Sequence, residues 1–338
     1  MRFKDEKNLI PIWGENIPGN RNESKNDILN IDDSLSQQDI FTKYPGVWDK
    51  SCDQLGDMKG NDTLVYRDEM QNGYANDTYT DVPFIAPFLV EGSDKCVIIC
   101  PGGAYLSKSV ESEGEDVARF LNDAGISAFV LWYRTYPYHA PLMFMDCQRA
   151  VRYVRYHADE FGINPDKIAT VGFSAGGNLC GVHAISFGDR PVDYPGYEPD
   201  RIDLVNGQVN AVGMCYPAVS LIYDKALACI AGREIYDNIE KRKVFADRYD
   251  MVLNLTQDVP PMFLCNAMDD DVLPPMNLAE LAKAANEKHV PCELHMFPYG
   301  GHGFGGCVEY PNPFMKVDFT AVKNWMPLFT DWIKRTLG

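Results

Sequence analysis

The sequence predicts an α/β fold with a mostly parallel, doubly wound sheet, helices on both faces and a small helical insertion. From about residue 62, short apolar runs alternate with longer segments whose apolar residues recur at helical spacing. Short apolar strands that alternate with helices are typical of a parallel sheet covered on both faces. A chain of 338 residues that is 46% hydrophobic can bury a sizeable core around such a sheet.

The predicted strands are largely apolar, and those before Cys96 are more polar or carry a proline, Pro87, which favours antiparallel edge strands. The strands are predicted at Thr63–Arg67, Phe84–Val90, Cys96–Cys100, Ile126–Tyr133, Ile168–Gly172, Ala211–Tyr216, Met262–Asn266 and Cys292–Phe297. The helices are predicted at Glu113–Ala124, Leu142–Phe161, Ala175–Phe187, Pro275–Lys288 and Thr320–Thr336.

The N-terminal part of the chain differs in composition from the rest. Residues 1–61 are rich in Asn, Asp, Ser and Gly with sparse apolar anchors such as Trp13 and Trp48, and we interpret them as an extended arm, partly helical around Ser34–Lys43. Residues 62–338 are predicted to form the α/β domain. Within it, the charged and mostly helical residues 221–258 are interpreted as a lid-like insertion, beside which the arm is expected to dock.

The bulk composition excludes several classes of partner. The net charge of -17 argues against nucleic acid or an anionic membrane, since both require a basic face. The first residues lack the apolar core of a secretory signal, and no apolar stretch approaches the roughly 20 residues of a membrane helix. The ten cysteines form no C-x-x-C pair and several lie in apolar runs, so a reduced, cytoplasmic protein is predicted. Nothing in the sequence calls for a metal or an organic cofactor, and it leaves the oligomeric state open, a homo-oligomer included.

One serine stands in a sharp turn between a predicted strand and a predicted helix. Residues 172–176 read G-F-S-A-G. The G-x-S-x-G pattern exposes a serine hydroxyl above the sheet, and the helix after it directs N-terminal amides at negative charge formed beside the serine. A chance match is expected in roughly one chain in ten of this length. Ser174 is therefore a candidate nucleophile that needs partners.

Residues that follow other predicted strands supply candidate partners, because ligands bind beyond the carboxyl ends of the strands in a doubly wound sheet. The loop Pro101-Gly102-Gly103-Ala104 follows the strand Cys96–Cys100. Two glycines and a small residue at this place can direct backbone N–H groups at an oxyanion. The alternative is an ordinary proline–glycine turn.

Three consecutive carboxylates, Asp269, Asp270 and Asp271, follow the strand Met262–Asn266. One of them could hold an imidazole in the required tautomer and stabilise its charged form. The alternative is that they cap the N-terminus of the next helix. Three carboxylates are enough for both roles.

Of the six histidines, only His302 stands in a glycine-rich loop past the last predicted strand. His183 and His295 fall inside predicted elements and are interpreted as structural, and position suggests no partner for His139, His157 and His289. The order Ser174, Asp270, His302 is one in which serine hydrolases carry nucleophile, acid and base, each after its own strand. Together, the G-x-S-x-G turn, the glycine loop, the acidic triplet and the loop histidine indicate that Ser174 is a nucleophile.

These motifs resemble the α/β-hydrolase esterases, and among them the BD-FAE-like or acetyl-xylan-esterase-like branch. The resemblance covers roughly residue 80 to the C-terminus and is carried by VIICPGGAY, FVLWYRTYP, DCQRAVRYVR, GINPDKIATVGFSAGGNL, CYPAVSL, PPMFLCNAMDDDVLPPMN and ELHMFPYGGHGFG. It implies that Asp270 is the acid, four residues before the proline of a D-x-x-V-P pattern in which Leu273 replaces the valine, with Asp269 and Asp271 as open alternatives. Pro101, where hormone-sensitive-lipase-like enzymes carry a histidine, favours the sugar-esterase branch.

The resemblance also implies a reaction. The family's oxyanion donors correspond to the amides of Gly103, Ala104 and Ala175, and Ala104 suits a backbone donor if its φ is negative. The implied activity is that of a serine esterase hydrolysing short-chain acyl esters, above all acetyl esters, on plant-polysaccharide-derived oligosaccharides through a Ser-Asp-His triad and an acyl-enzyme. The alternatives are a peptidase or an aryl-formamide hydrolase on the same fold, or a catalytically idle binding protein.

Overall fold

Eight strands form one mixed sheet in the computed structural model. The structure describes residues 8–20, 28–30, 64–66, 68–71, 74–77, 82–136, 138–222, 226–307 and 318–338. Strands β1 to β8 span Ile10–Pro11, Phe84–Phe88, Cys96–Cys100, Ser127–Trp132, Ile168–Phe173, Ala211–Cys215, Met262–Ala267 and Cys292–Phe297. Their order across the sheet is β1-β2-β4-β3-β5-β6-β7-β8, with β2 antiparallel to both neighbours and all other neighbours parallel. The carboxyl ends of β3 to β8 therefore meet at one edge of the sheet.

Helices cover both faces of this sheet. Helices α1 to α11 span Asp116–Asp123, Leu142–Tyr156, Ala158–Phe161, Ala175–Val182, Leu227–Ala231, Arg233–Tyr236, Ile239–Tyr249, Met251–Asn254, Met276–Glu287, Phe319–Val322 and Trp325–Leu337. In β3, Val97 and Ile99 belong to the core formed with α1 and α11, whereas Ile98 belongs to the core formed with α2 and α4. Both faces of the strand are buried, which explains its uninterrupted apolar sequence.

The predicted fold class is confirmed, and the main differences concern the ends of elements. The bounds of β3 and β8 coincide with the predicted ones. The predicted helix Leu142–Phe161 is divided into α2 and α3 at His157, whose backbone leaves the helical region at φ -100° and ψ 20°. Two predicted helices contain a π-helical turn, at Glu111–Glu115 before α1 and at His183–Phe187 after α4.

The predicted strand Thr63–Arg67 overlaps an observed strand, Leu64–Tyr66, that lies outside the main sheet. It pairs in parallel with Ile28–Asn30, and a second small sheet joins Asp68–Gln71 to Tyr74–Asp77. The helix predicted around Ser34–Lys43 lies outside the described residues. Within the predicted insertion, the described residues form α5 to α8, and the lid role stays a prediction.

Residues 8–20 of the predicted arm lie against the α/β domain. Strand β1 extends the main sheet, and Ile12 and Trp13 are buried in its core. The anchors Phe41 and Trp48 lie outside the described residues. The boundary at residue 61 stays a prediction, although this part of the arm supplies a strand that the sequence analysis did not assign.

A buried ion pair helps to hold this segment. The side chains of Arg134 and Asp146 are both fully buried, and the guanidinium donates to the carboxylate from Nε to Oδ2 at 2.9 Å and from Nη2 to Oδ1 at 2.7 Å. The indole Nε1 of Trp13 donates to Asp146 Oδ1 at 2.8 Å, and Arg134 Nη1 donates to the carbonyl of Pro18 at 2.5 Å. Since buried charges need pairing and hydrogen bonds, the N-terminal segment completes the surroundings of this pair.

A second arginine of α2 also binds the segment. Arg149 donates from Nε to the carbonyl of Ile12 at 2.7 Å, and its guanidinium lies 4.8 Å from the centre of the Trp13 ring. Its other nitrogens bind the carboxylate of Asp200 at 2.7 Å each. A guanidinium that is both stacked and bidentate is held in one orientation, which makes it a firm anchor for residues 12–18.

We expect Asp146→Asn to destabilise the protein by about 3–5 kcal/mol, because it leaves the buried guanidinium of Arg134 without a counter-charge. Chemical denaturation followed by tryptophan fluorescence measures the free energy of unfolding. The matched control is Glu287→Gln on the exposed Lys283–Glu287 pair, which should change it by less than about 0.5 kcal/mol. A loss for Asp146→Asn no larger than that of the control would contradict this account of the segment.

Candidate active site

Four loops at the carboxyl edge of the sheet carry the residues that the sequence predicted for the site. They follow β3, β5, β7 and β8, and the last three contribute Ser174, Asp270 and His302. Because these strands run parallel, their carboxyl ends bring residues distant in sequence to one place. The loop after β3 contains Gly103 and Ala104.

Ser174 forms the turn between β5 and α4. Its backbone has φ 51° and ψ -117°, a left-handed value that is strained for a residue with a Cβ atom. Its N–H donates to the carbonyl of Cys215 at the end of β6, and its carbonyl accepts from the N–H of Asn178 in α4, both at 3.0 Å. These bonds hold the strained turn between two buried elements.

Two glycines make this turn possible. A Cβ atom on Gly172 would lie 2.0 Å from the carbonyl oxygen of Gly176, and one on Gly176 would lie 2.0 Å from the carbonyl oxygen of Cys100. The backbones of β5, α4 and the end of β3 therefore approach more closely than any residue with a side chain allows. This explains the glycines on either side of Ser174 in the sequence motif.

The imidazole of His302 lies between the serine and the acid. Its Nε2 is 2.9 Å from Oγ of Ser174, and its Nδ1 is 2.9 Å from Oδ2 of Asp270. With the Nδ1 proton donated to Asp270, Nε2 is free to accept the hydroxyl proton of the serine. The structure thus brings these three predicted residues together in one hydrogen-bonded chain.

Asp270 is the member of the acidic triplet that contacts the histidine. Its side chain is fully buried, and its other oxygen, Oδ1, accepts from the N–H groups of Val272 and Leu273 at 2.9 and 3.0 Å. Burial raises the pKa of Asp270, but the hydrogen bond and charge of His302 and the two amides lower it more, so the pKa lies below its ordinary value. Asp270 is therefore ionised at neutral pH.

The neighbouring carboxylates have different surroundings. Asp269 and Asp271 are both exposed. Asp269 accepts from the N–H of Gly301, the residue before the histidine, at 2.8 Å. The alternative that the triplet caps the next helix is wrong, because α9 begins at Met276 after Pro275 and has no side-chain cap. Asp269 and Asp270 instead bind amides of the loops.

The three predicted oxyanion donors belong to two segments that adjoin the serine. Ala175 is the first residue of α4, so its N–H is one of the amides that have no partner within the helix. The loop of Gly103 and Ala104 packs directly on the nucleophile turn, since a Cβ atom on Gly102 would lie 2.9 Å from Cβ of Ser174. The φ of Ala104 is 54°, so the condition of a negative φ is not met there.

Buried contacts hold that unusual loop conformation. Tyr105 is fully buried with φ 60°, and its hydroxyl donates to Oδ1 of Asn178 in α4 at 2.6 Å. The amide of Asn178 donates in turn to the carbonyl of Ala218 at 2.6 Å. The loop after β3 is therefore tied to the same helix that begins at the serine.

Two residues beside the site were missed by the sequence analysis. Glu113 is 5% exposed and accepts from the N–H of Gly102 at 2.7 Å and from the hydroxyl of Tyr216 at 2.8 Å. The ring of Tyr216 packs edge-on against His302 with 4.9 Å between ring centres. Tyr216 directly follows β6, a signal that could have found it, whereas Glu113 stands in the acidic run ESEGED, which resembles an exposed helix start.

The other histidines have separate surroundings. His183 is fully buried and bonds the carbonyl of Gly207 at 3.0 Å, and burial lowers its pKa to about 3. His295 lies in β8 and bonds Glu293 at 3.0 Å. Both therefore serve the structure. Among the described residues, no group of three or more His, Cys, Asp and Glu is placed to hold a metal ion.

The fold and the arrangement of this site define an α/β-hydrolase. Residues 85–284 match the BD-FAE family, and the chain belongs to that family. It is 30% identical over 283 residues to endo-1,4-beta-xylanase B of Butyrivibrio fibrisolvens, covering 78% of this chain and 42% of that protein. It is 28% identical over 230 residues to an acetylxylan esterase of Xylanibacter ruminicola, covering 64% and 43%. The chain thus spans under half the length of these two relatives.

A solved structure is also similar. An acetyl ester-xyloside bifunctional hydrolase from Caldicellulosiruptor lactoaceticus superimposes with a TM-score of 0.64 and 31% sequence identity, covering 75% of this chain and 88% of that one. The second of the two relatives and this neighbour are thus named as ester hydrolases. No helix within the described ranges is long and apolar enough to cross a membrane.

We expect Ser174 to react covalently with a fluorophosphonate probe, because its hydroxyl faces a base and strained turns of this kind expose the oxygen. Ser174→Ala should abolish labelling and leave the fold intact, as judged by circular dichroism. Ser186→Ala, in the helical segment after the same turn, is the control and should label like the parent. Retained labelling of Ser174→Ala would show that another serine is attacked.

Proposed function

We propose that this protein is a serine esterase that hydrolyses short-chain acyl esters, above all acetyl esters on plant-polysaccharide-derived oligosaccharides. The observation that carries the proposal is the imidazole of His302, hydrogen-bonded to Ser174 through one nitrogen and to Asp270 through the other. This is the arrangement needed to deprotonate a serine as it attacks an ester carbonyl.

In the first step, Oγ of Ser174 attacks the carbonyl carbon while His302 takes the hydroxyl proton. The bond to the alcohol oxygen then breaks, and the imidazolium gives that proton to the leaving alcohol. The acyl group remains on the serine. Asp270 holds the Nδ1 proton and stabilises the positive charge on the ring without taking a proton itself.

The negative charge that develops on the carbonyl oxygen needs donors on the side of Ser174 away from the base. We assign this role to the backbone N–H groups of Gly103, Ala104 and Ala175, the last of which adds the positive end of the α4 dipole. Removal of one such donor costs roughly 10²–10³ in rate in comparable sites. Rigid support of these amides is therefore important for turnover.

In the second step, His302 removes a proton from water, which attacks the acyl-enzyme. The acid is released and the serine recovers its proton from the imidazolium. The original serine proton leaves with the alcohol and a proton from water replaces it, so the cycle restores Ser174 and neutral His302 with residues of this chain and one water molecule.

Two independent features support the substrate class. The chain belongs to the BD-FAE family, and relatives named an acetylxylan esterase and a xylanase match most of its length. The neighbour named as an acetyl ester-xyloside hydrolase shares the fold at 31% identity. We therefore expect the ester substrate to be an acylated oligosaccharide.

We expect Asp270→Asn to lower kcat for p-nitrophenyl acetate by roughly 10³–10⁴-fold, because an amide can present its NH₂ group to His302 and favour the wrong tautomer. Asp269→Asn and Asp271→Asn are matched controls that should each stay within about tenfold, since an amide oxygen still accepts from Gly301 and Asp271 is exposed. A larger loss in either control would place the acid at that residue instead.

The substrate class is tested by a panel of acetylated xylo- and manno-oligosaccharides, peptides and N-formylkynurenine, with p-nitrophenyl acetate as the reference ester. We expect the highest kcat/KM on an acetylated oligosaccharide, with release of acetate. Preferred cleavage of a peptide or of the formamide would overturn the substrate class. Absence of turnover on every substrate, with p-nitrophenyl acetate included, would favour an idle binding protein.

A further inference from the structure

A second buried carboxylate lies beneath the site, besides the one that contacts the histidine. Glu113 stands in the π-helical turn before α1 and is 5% exposed. Its Oε2 accepts from the N–H of Gly102 at 2.7 Å, and its Oε1 accepts from the hydroxyl of Tyr216 at 2.8 Å. A helix-start glutamate is usually solvated, so this burial calls for a reason.

The first partner of Glu113 belongs to the proposed oxyanion loop. Gly102 immediately precedes Gly103 and Ala104, and it packs on the nucleophile turn with no room for a side chain. The bond to Glu113 fixes the peptide group at the entrance of the loop. The position of the following amides therefore depends on this carboxylate.

The second partner leads to the histidine. The rings of Tyr216 and His302 pack edge to face at an interplanar angle of 64°. The hydroxyl of Tyr216 accepts from the N–H of Gly305 at 2.9 Å. The N–H of Gly306 donates to the carbonyl of Ser112, next to Glu113, at 2.7 Å. One carboxylate thus joins the oxyanion loop, the end of β6 and the loop of the proposed base.

The charge of Glu113 acts on the same site. Burial raises the pKa of Glu113 above its ordinary value, and the hydrogen bonds from Tyr216 and Gly102 and the charge of His302 offset only part of that rise. The charged groups around the imidazole are then Asp270, in direct contact, Glu113 behind Tyr216, and Asp269 on the amide of Gly301. In its ionised form this buried carboxylate is poorly screened by solvent, so it would attract positive charge that develops on the imidazole.

We propose that Glu113 is a positioning residue for ester hydrolysis: it sets the oxyanion loop relative to His302 through Gly102 and Tyr216, and its charge stabilises the imidazolium in the transition state. The proposal rests on the proposed function. It predicts a loss in kcat and not in ground-state binding, because both effects act where charge develops.

The test is Glu113→Gln, which keeps the shape of the side chain and removes the charge. We expect kcat for p-nitrophenyl acetate to fall roughly 10- to 100-fold with KM changed by less than about threefold. The acid limb of the kcat/KM profile should move to lower pH, because removing a nearby negative charge disfavours the imidazolium. Glu115→Gln, two residues along and paired with Arg119 at the surface, is the matched control and should leave kcat and the profile unchanged.

Tyr216→Phe tests the positioning part through a second residue. It removes the hydroxyl that joins Glu113 to Gly305, so kcat should fall even though the carboxylate is kept. It also keeps the proposal open to refutation if Glu113→Gln does not fold. An unchanged kcat in a folded Tyr216→Phe protein would then overturn the positioning role.

The outcomes separate failure of this inference from failure of the proposed function. If the parent hydrolyses p-nitrophenyl acetate and Glu113→Gln matches it in kcat and pH profile, the role of Glu113 is refuted and the esterase assignment stands. If the parent is inactive, the esterase assignment fails. The effect of the Glu113 charge on His302 can then still be measured by NMR titration of the imidazole. Identical titration curves for the parent and Glu113→Gln would refute that effect.

Discussion

The arrangement of the site depends on the close approach of three backbones around Ser174. Gly172 and Gly176 let β5 and α4 cross the end of β3 at distances that exclude a Cβ atom. This crossing forces Ser174 into a left-handed conformation, and it also places the first amide of α4 and the loop after β3 next to the serine. The strain is compensated because both flanking elements are fully buried and bonded to their neighbours. Nucleophile and proposed oxyanion donors are thus positioned by one constraint.

Much of the sheet and of the site could be predicted from the sequence, because buried parallel strands and short motifs leave local signals. The strands β3 and β8 were placed at their observed bounds, and Ser174, Asp270 and His302 each follow a strand that was recognised. The two-residue strand β1 has no such signal, since two residues cannot display a period of two. The choice among Asp269, Asp270 and Asp271 also depended on tertiary structure, because only the loop geometry decides which carboxylate faces the imidazole.

Buried charges were the least predictable part of the chain. Glu113 occurs in an acidic run that resembles an exposed segment, and Arg134 and Asp146 are isolated charges among apolar residues. Each of the three is buried and hydrogen-bonded. Their partners come from distant parts of the sequence, namely the N-terminal segment, the end of β6 and the loop after β3. A local sequence pattern carries no information about a partner from another part of the chain. Burial of a charge is a tertiary property, because only the complete set of donors offsets the loss of hydration.

The two sides of the proposed oxyanion loop are supported by different kinds of contact. Below it, Glu113 and Tyr216 act through hydrogen bonds in a dry interior, where small shifts are costly. Above it, the carbonyl of Tyr105 accepts from the N–H of Tyr136 at 2.8 Å, and a few residues further on Ala140 bonds the carbonyl of Ile230 in α5 at 2.7 Å. The helices that follow α5 expose apolar side chains to solvent, Val244 at 72% among them. Because that outer layer is separate from the hydrogen bonds that orient the loop, we expect substitutions there to leave the geometry of the site intact.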